Sequence, residues 1–472
     1  MYAEEHEMNK KIVTGTLVVG LVVASLVGTS QIKQHAFASQ VHLMPKQTVT
    51  ERKFPWPYHA MLAIESDADH TDLRKFNIIH EFLNTKSETM LGQGLGLDIS
   101  DSFFLYNGSN EPRKIDYNGE TVKNEMTMFD GISNIPSADA PILLYYIRHG
   151  WIDTFHSAGD FSRVNSSTTI FSRELEINAL NFLKKQNEVP ITVFTDHGNQ
   201  SNVANFGSYT AFDQYMEGDN PQSKYYITDL LEQEGVRYVW SDHFGDQFSY
   251  PSMIYPITLR DGSKMWGFYR FTGTRKVAYE PGLGQVANWD TMWNPADLGE
   301  QLDSSRLNAL VQSGGYTIIA THLEGNANLF PFNYSTIEAL VHLSHMQDHG
   351  LILVASTSRL LQYNLMQQGL RDQILYHAST GTTDINITQI IDPVNGDFIP
   401  TVSQLHGITF TLKDPSDAMI SIHGVPIPDS DIVRSLHTIG IRWYTPDTTN
   451  WAITTTSPIY AHLKQEMETL MK

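Results

Sequence analysis

HAMLAIESDADHTDLRKFNIIHEFL, residues 59–83, holds the repeating unit of the fold. Residues 59–66 form a short apolar run, which reads as a buried strand. Thr71 stands where a helix cap is needed. The apolar residues that follow, Leu73, Phe76, Ile79 and Leu83, recur at helical spacing. Between strand and helix lies Asp67-Ala68-Asp69-His70. A buried strand that passes through a polar loop into an amphipathic helix is the building unit of a parallel sheet.

The alternation continues along the chain. Helical spacing spans 139–148 and leads through His149-Gly150 into a short strand ending near His156. Helix 172–187 precedes strand 190–195 (PITVFT), and helix 223–234 precedes strand 236–240 (VRYVW). Helix 304–313 precedes strand 316–320 (YTIIA). Ser335-Thr336-Ile337-Glu338 has the form of a capping box. It opens a helix running to His349-Gly350, before strand 351–354 (LILV). Residues 92–135 read as loop with short strands, and 246–300 as an insertion with strands of its own. Such a pattern predicts a parallel α/β sheet, open or closed into a barrel, with its active site at the carboxyl ends of the strands. Just after successive strands stand Asp67 and Asp69, His156, Asp196 and His197, Asp242 and His243, and His322. No single one of these is persuasive, but five consecutive strand ends bearing acids and histidines are hard to attribute to chance.

Beyond about Gln373 the texture changes to Thr, Ile, Val, Pro and Asp in short alternating runs such as GITFTL, which predicts a small β-sandwich. The expected organisation is an N-terminal leader (1–38), a linker (39–57), the α/β domain (58–372), a β-rich accessory domain (373–456) and a helical tail (457–472).

Hydrophobic content of 41% and charged content of 18% over 472 residues fit a multidomain globular chain rather than a disordered one. A net charge of −20 with no basic stripe argues against nucleic acid, whose phosphates need Lys and Arg. There are no cysteines, so disulfides and thiolate metal sites are excluded, and any metal must sit on His, Asp or Glu. Lys10 and Lys11 precede the apolar run 12–28 (IVTGTLVVGLVVASLVG), and Ala36-Phe37-Ala38 follows as a cleavage pattern. Met8 as the start brings the two lysines close to the N-terminus. The run is also near the length that spans a bilayer, so a secretory signal and an uncleaved membrane anchor are both open. Either places the remainder outside the cytoplasm.

Asp67 and Asp69, separated by one residue, share a side if the strand geometry continues. One can then bind a metal while the other takes a proton from water. The plainer reading is a loop pair capping the next helix. His156 ends a predicted strand, and a carboxylate, Asp160, follows four residues later. In these features the chain resembles the NodB-like polysaccharide deacetylases. Their first motif is an Asp pair after the first strand, and their second is G-x-x-x-x-x-H-[ST]-x-x-[ST]-H. Aligning Gly150 with that Gly puts His156 on the first metal His, Ser157 on the Ser/Thr and Asp160 on the second metal His. The family's Arg element falls near Asp196-His197-Gly198-Asn199, its Asp/Trp segment near Trp240-Ser241-Asp242, and its last motif on Ala320-Thr321-His322. The resemblance covers roughly 58–363.

The resemblance implies a distorted NodB-like (β/α) barrel with insertions and a metal-dependent hydrolase removing acetyl groups from a polysaccharide, N-acetyl before O-acetyl. It implies Asp67 as base, His322 as acid, and Asp69, His156 and Asp160 as metal ligands. Asp196, Asp242 and His243 are candidates for orienting these groups, and Trp289 and Trp293 for stacking on sugar. Three departures stand out: the Asp pair is Asp-x-Asp, the second metal His is Asp160, and the Arg element is replaced by one containing His. Two carboxylates on a divalent cation neutralise it and weaken its acidification of water. Zinc is expected, with manganese, iron or cobalt open once oxygen ligands dominate. Alternatively, His197 is the third ligand and Asp160 stands behind a ligand His. Two other functions remain open. One is a glycan hydrolase using two carboxylates, such as Asp67 and Asp242. The other is a non-catalytic carbohydrate-binding protein that has lost its metal.

Overall fold

The chain enters through β1 (Val49–Glu51) and then β2 (Ala60–Ser66), whose seven residues are all buried. A strand covered on both faces needs a continuous apolar run, and this is what residues 60–64 supply. The computed structural model describes residues 47–107, 125–161, 169–186, 189–197, 202–207, 215–241, 247–273, 275–280, 284–289, 293–325 and 328–472. The leader (1–38) and Asp242 and His243 lie outside them. So does the side chain of Trp289. Among the described residues no helix is long and apolar enough to cross a membrane.

After β2 come α1 (Leu73–Asn84), β3 (Ser100–Phe103), α2 (Ala140–Arg148), β4 (Ile152–His156), α3 (Arg173–Gln186), β5 (Val193–Thr195), α4 (Thr228–Glu234) and β6 (Tyr238–Trp240). Then follow β7 (Ile254–Thr258), β8 (Lys264–Phe268), α5 (Ser304–Ser313), β9 (Tyr316–Thr321), α6 (Tyr334–Asp348), β10 (Ile352–Val354) and α7 (Thr357–Gly369). One mixed α/β sheet runs in the order β7-β8-β6-β5-β4-β3-β2-β9, with β10 also on β2. All its pairings are parallel except β7 with β8. The sheet curls round on itself. Beyond β8, the Phe271 amide donates to Ile318 O (2.8 Å) and Phe271 O accepts from the Ala320 amide (3.0 Å), which brings that chain against the free side of β9.

Three sequence expectations need correction. Strands β7 and β8 are members of the main sheet rather than of a separate insertion, while β3 is one of the short strands expected within 92–135. α1 is capped by Asp72, whose side chain accepts from the Arg74 and Lys75 amides, and Thr71 turns its hydroxyl to Glu324 instead. α6 is capped by Asn333, which accepts from the Thr336 amide, rather than by a box on Ser335. In each cap an amide oxygen or carboxylate sits nearer the first exposed N–H groups than the Thr or Ser hydroxyl does.

Side chains alternate across β2. Ala60, Leu62 and Ile64 join one apolar cluster with Ile79 and Phe82 of α1 and Leu340 and Leu343 of α6, whereas Met61 and Ala63 join another. That second cluster extends into the strands that follow: β11 (Leu370–His377), β12 (Thr382–Ile390), β13 (Thr409–Leu412), β14 (Ala418–Ile422), β15 (Ile432–Arg434) and β16 (Thr438–Ile441). They form two four-stranded sheets, β11-β12-β14 with Val425–Pro426, and β1-β13-β16-β15. Ile385 and Ile387 of one and Phe410 and Ile439 of the other pack in a single core with Met61. The described residues from 47 onward thus belong to one compact unit.

The tail helix α8 (Tyr460–Met471) buries Leu463 and Met467 in the cluster built by α2 and α3, and Gln186 Nε2 donates to Met467 O (3.0 Å). Leu463→Ala is expected to cost about 2–3 kcal/mol in urea unfolding, with metal content unchanged.

Candidate metal centre

The ends of β2, β4, β5 and β9 each contribute one part of a single site. The Asp67 amide donates to Thr321 O (2.9 Å), which locks the end of β2 against the end of β9. Asp69 then projects between two imidazoles. His156 Nε2, from the end of β4, lies 3.0 Å from Asp69 Oδ2, and His197 Nε2, just after β5, lies 2.9 Å from Asp69 Oδ1. These three donors lie within 4.8 Å of one another. His322, after β9, places Nε2 3.6 Å from Asp69 Oδ2 and 3.8 Å from Asp67 Oδ2. His156 and His197 are buried, while Asp69 and His322 are about a quarter exposed, so the site opens on their side.

The donor set fits a divalent cation. Thr195 Oγ1 donates to Phe155 O (3.2 Å), so it accepts from His156 Nδ1 (3.0 Å). The tautomer this selects leaves the Nε2 lone pair facing Asp69. Asp160 Oδ1 lies 3.7 Å from His197 Nδ1, behind the ring, and orients it in the same sense. His197 therefore joins Asp69 and His156 in the converging set, and Asp160 stands outside it. Burial opposes charge here, but His197 and His156 outweigh it and hold the Asp69 carboxyl well below its ordinary range. Burial likewise works against the His197 imidazolium, yet Asp69 and Asp160 push it up to about 10. Burial lowers His322, against the pull of Asp69 and Asp67.

The local backbone is bent to make this arrangement. His70 and Ser157, which follow Asp69 and His156, both adopt left-handed φ (61° and 57°), a conformation that L residues reach only when held there. Glu125 Oε1 accepts from the His70 amide (2.7 Å), and Thr195 O accepts from the Ser157 amide (2.7 Å). Asn202 Nδ2 donates to Ser157 Oγ (2.7 Å) and Gly159 O (2.6 Å). A Cβ at Gly159 would collide with the Tyr106 carbonyl, so only glycine lets the chain carry Asp160 to its place. Asp196 accepts from the Phe206 amide (3.0 Å) and serves the loop rather than the centre. Asp242 and His243 lie outside the described residues.

Arg270 was not foreseen. It follows β8 and is fully buried. Its Nη2 lies 2.8 Å from Asp67 Oδ1 and its Nε 2.6 Å from Glu65 Oε2, with the guanidinium 4.3 Å from the Trp240 ring centroid. Trp293 stacks on His322 (5.1 Å, 21°) and accepts its amide at the Trp293 carbonyl (3.0 Å). The signal was present in the sequence: KMWGFYRF, 264–271, is an apolar run ending in a charge, the same pattern that singled out the other strand ends. Glu125, also unforeseen, is buried beside Asp160 and Asp69. Burial first, and then those two carboxylates, raise it well above the carboxylate range.

A cavity of about 460 Å³ opens at the opposite, amino-terminal end of the sheet, lined by Asp98, Asp153, Arg359 and Tyr444 among others, and touches none of these donors. No protein-family model matches the chain, and no characterised protein matches it.

His197→Ala is expected to abolish metal retention in elemental analysis, whereas Asp160→Ala should keep the metal with affinity weakened about 10–100-fold. Equal loss in both variants would make Asp160 a ligand. Arg270→Met leaves Glu65 and Asp67 buried without a counter-charge, and is expected to cost about 3–5 kcal/mol in chemical unfolding.

Proposed function

We propose that the chain is a metal-dependent hydrolase of the NodB-like deacetylase type, removing acetyl groups, N-acetyl before O-acetyl, from a polysaccharide outside the cytoplasm. The observation that carries this reading is the pairing of two proton-transfer groups of different kinds, Asp67 and His322, across one three-donor metal centre. The curled parallel sheet is compatible with the distorted barrel of that family.

Asp69, His156 and His197 would hold the cation, zinc by preference for two imidazoles and one carboxylate. When bound, such a cation supplies Lewis-acid chemistry, polarising a carbonyl and making water a better nucleophile. The remaining work falls to the chain. Asp67 takes the proton from the attacking water. Arg270 fixes that carboxylate through one oxygen and leaves the other, 3.8 Å from His322 Nε2, directed into the site. His322 gives a proton to the departing amine, and Trp293, stacked on it, holds its ring plane. Water and amide thus become a carboxylate and an ammonium group, with the acyl C–N bond broken and the polymer backbone intact. The negative charge of the whole chain suits a polymer bearing free amino groups.

The test is acetate release from a partly N-acetylated amino-sugar polymer by zinc-loaded protein. The expected result is acetate with no shortening of the polymer. Asp67→Asn should lower kcat by about 10²–10⁴-fold while retaining metal. Shortened oligosaccharides without acetate would replace this reading with glycan hydrolysis. Binding without turnover would leave a carbohydrate-binding protein.

A further inference from the structure

A second group of side chains lies in the interior beside the Asp67 strand end. His80 of α1, Asp101 of β3 and Glu324, two residues beyond His322, are fully buried. One ligand atom from each lies within 4.8 Å of the others. His80 Nε2 stands 3.5 Å from Asp101 Oδ2. Asp101 Oδ1 accepts from the Ser102 amide (3.0 Å) and Glu324 Oε2 accepts from Thr71 Oγ1 (3.3 Å), and the two carboxyl groups also interact with each other, but His80 Nε2 has no hydrogen-bond partner. A buried polar atom left without a partner is costly, and this one faces two buried carboxyl groups.

The His80 tautomer decides what they await. Asn84 Nδ2 donates to Ile99 O (2.7 Å), which turns Asn84 Oδ1 toward His80 Nδ1 (3.1 Å). An amide oxygen only accepts, so Nδ1 carries the proton. In the neutral ring, Nε2 then presents a lone pair to two carboxylates. The ring is held between Phe76 (4.1 Å) and Trp151 (5.4 Å), which leaves it no room to turn away. The nearby Lys75 ammonium donates to the His70 and Glu324 carbonyl oxygens (2.6 and 2.7 Å). Neutral imidazole with its far nitrogen fixed, converging with two carboxylates, is the arrangement of a metal ligand set with its supporting shell.

We propose that His80, Asp101 and Glu324 form a second, structural site for a divalent transition cation of the zinc or manganese class. Two carboxylates balance its charge, and an imidazole nitrogen disfavours calcium and magnesium, which favour oxygen. The site ties α1, β3 and the segment after β9 together, and so braces the chain that presents His322. Closed off from solvent, it takes its cation up during folding.

The experiment is elemental analysis of protein refolded with Zn²⁺ alone, or Mn²⁺ alone, and then desalted. Two equivalents per chain are expected. A chelator should strip the one at the partly exposed Asp69 centre, while the second should stay until guanidinium unfolds the chain. Asp69→Asn should keep the chelator-resistant equivalent, and His80→Gln should lack it. Should His80→Gln fail to fold, the wild-type measurement decides alone. Wild-type protein with no chelator-resistant equivalent under either metal overturns the proposal, as does a resistant equivalent that His80→Gln retains. Loss of the exchangeable equivalent alone counts against the deacetylase reading and leaves this one standing.

Discussion

A guanidinium with no access to water sits where the main sheet closes. Arg270 is delivered by the chain leaving β8, one residue before Phe271 bridges to β9. It meets Glu65 and Asp67, both at the end of β2. Two carboxylates cannot be buried side by side without opposite charge, and burial, with Asp67 and other nearby carboxylates adding to it, raises Glu65 well above the carboxylate range against the pull of Arg270. The curl of the sheet and the position of the candidate base are therefore one constraint. Trp240 lies against the guanidinium and offers it a π face. Whatever displaces β8 removes the charge that lets β2 end in acids.

The same economy governs the histidines. His156 and His80 each have one ring nitrogen committed to a neighbour whose own bonding leaves it only an acceptor's role, Thr195 in one case and Asn84 in the other. His197 has Asp160 behind it. Fixing the far nitrogen aims the near one at the site. Asp69 and His156 stood out in the sequence because each lies at or just after a strand end, and the family resemblance gave them their shared ligand role. Asp160 carried the ligand role by spacing alone, and spacing does not report which side of a ring a carboxylate occupies.

The legible elements share one physical property. β2 and β9 are buried on both faces and α5 on one, and such burial writes itself into local periodicity. β7 and β8 were harder to place because their alternation suits a hairpin as well as a sheet edge, and local pattern does not say which sheet a hairpin joins. β3 is only four residues, SDSF, with a single large apolar side chain, so it carries almost no hydrophobic signal although all four residues are buried. The helix starts were misread by one or two residues: Asp72 and Asn333 stand beside Thr71 and Ser335, and which oxygen reaches the free amides depends on how the chain enters the turn.

By itself, the sequence determined the strand–helix alternation and the rule that chemistry gathers at the strand ends. Those follow from short-range hydrophobic spacing and from the direction parallel strands share. It also determined, through the absence of cysteine, that any metal must rest on His, Asp or Glu. Only the tertiary structure decided which acids and histidines meet. His197 stands 128 residues from Asp69, Arg270 lies 203 from Asp67, and Glu324 answers Thr71 across 253. Their encounters are set by strand order and by how the sheet curls, because a charge can be buried only where the fold brings it a partner.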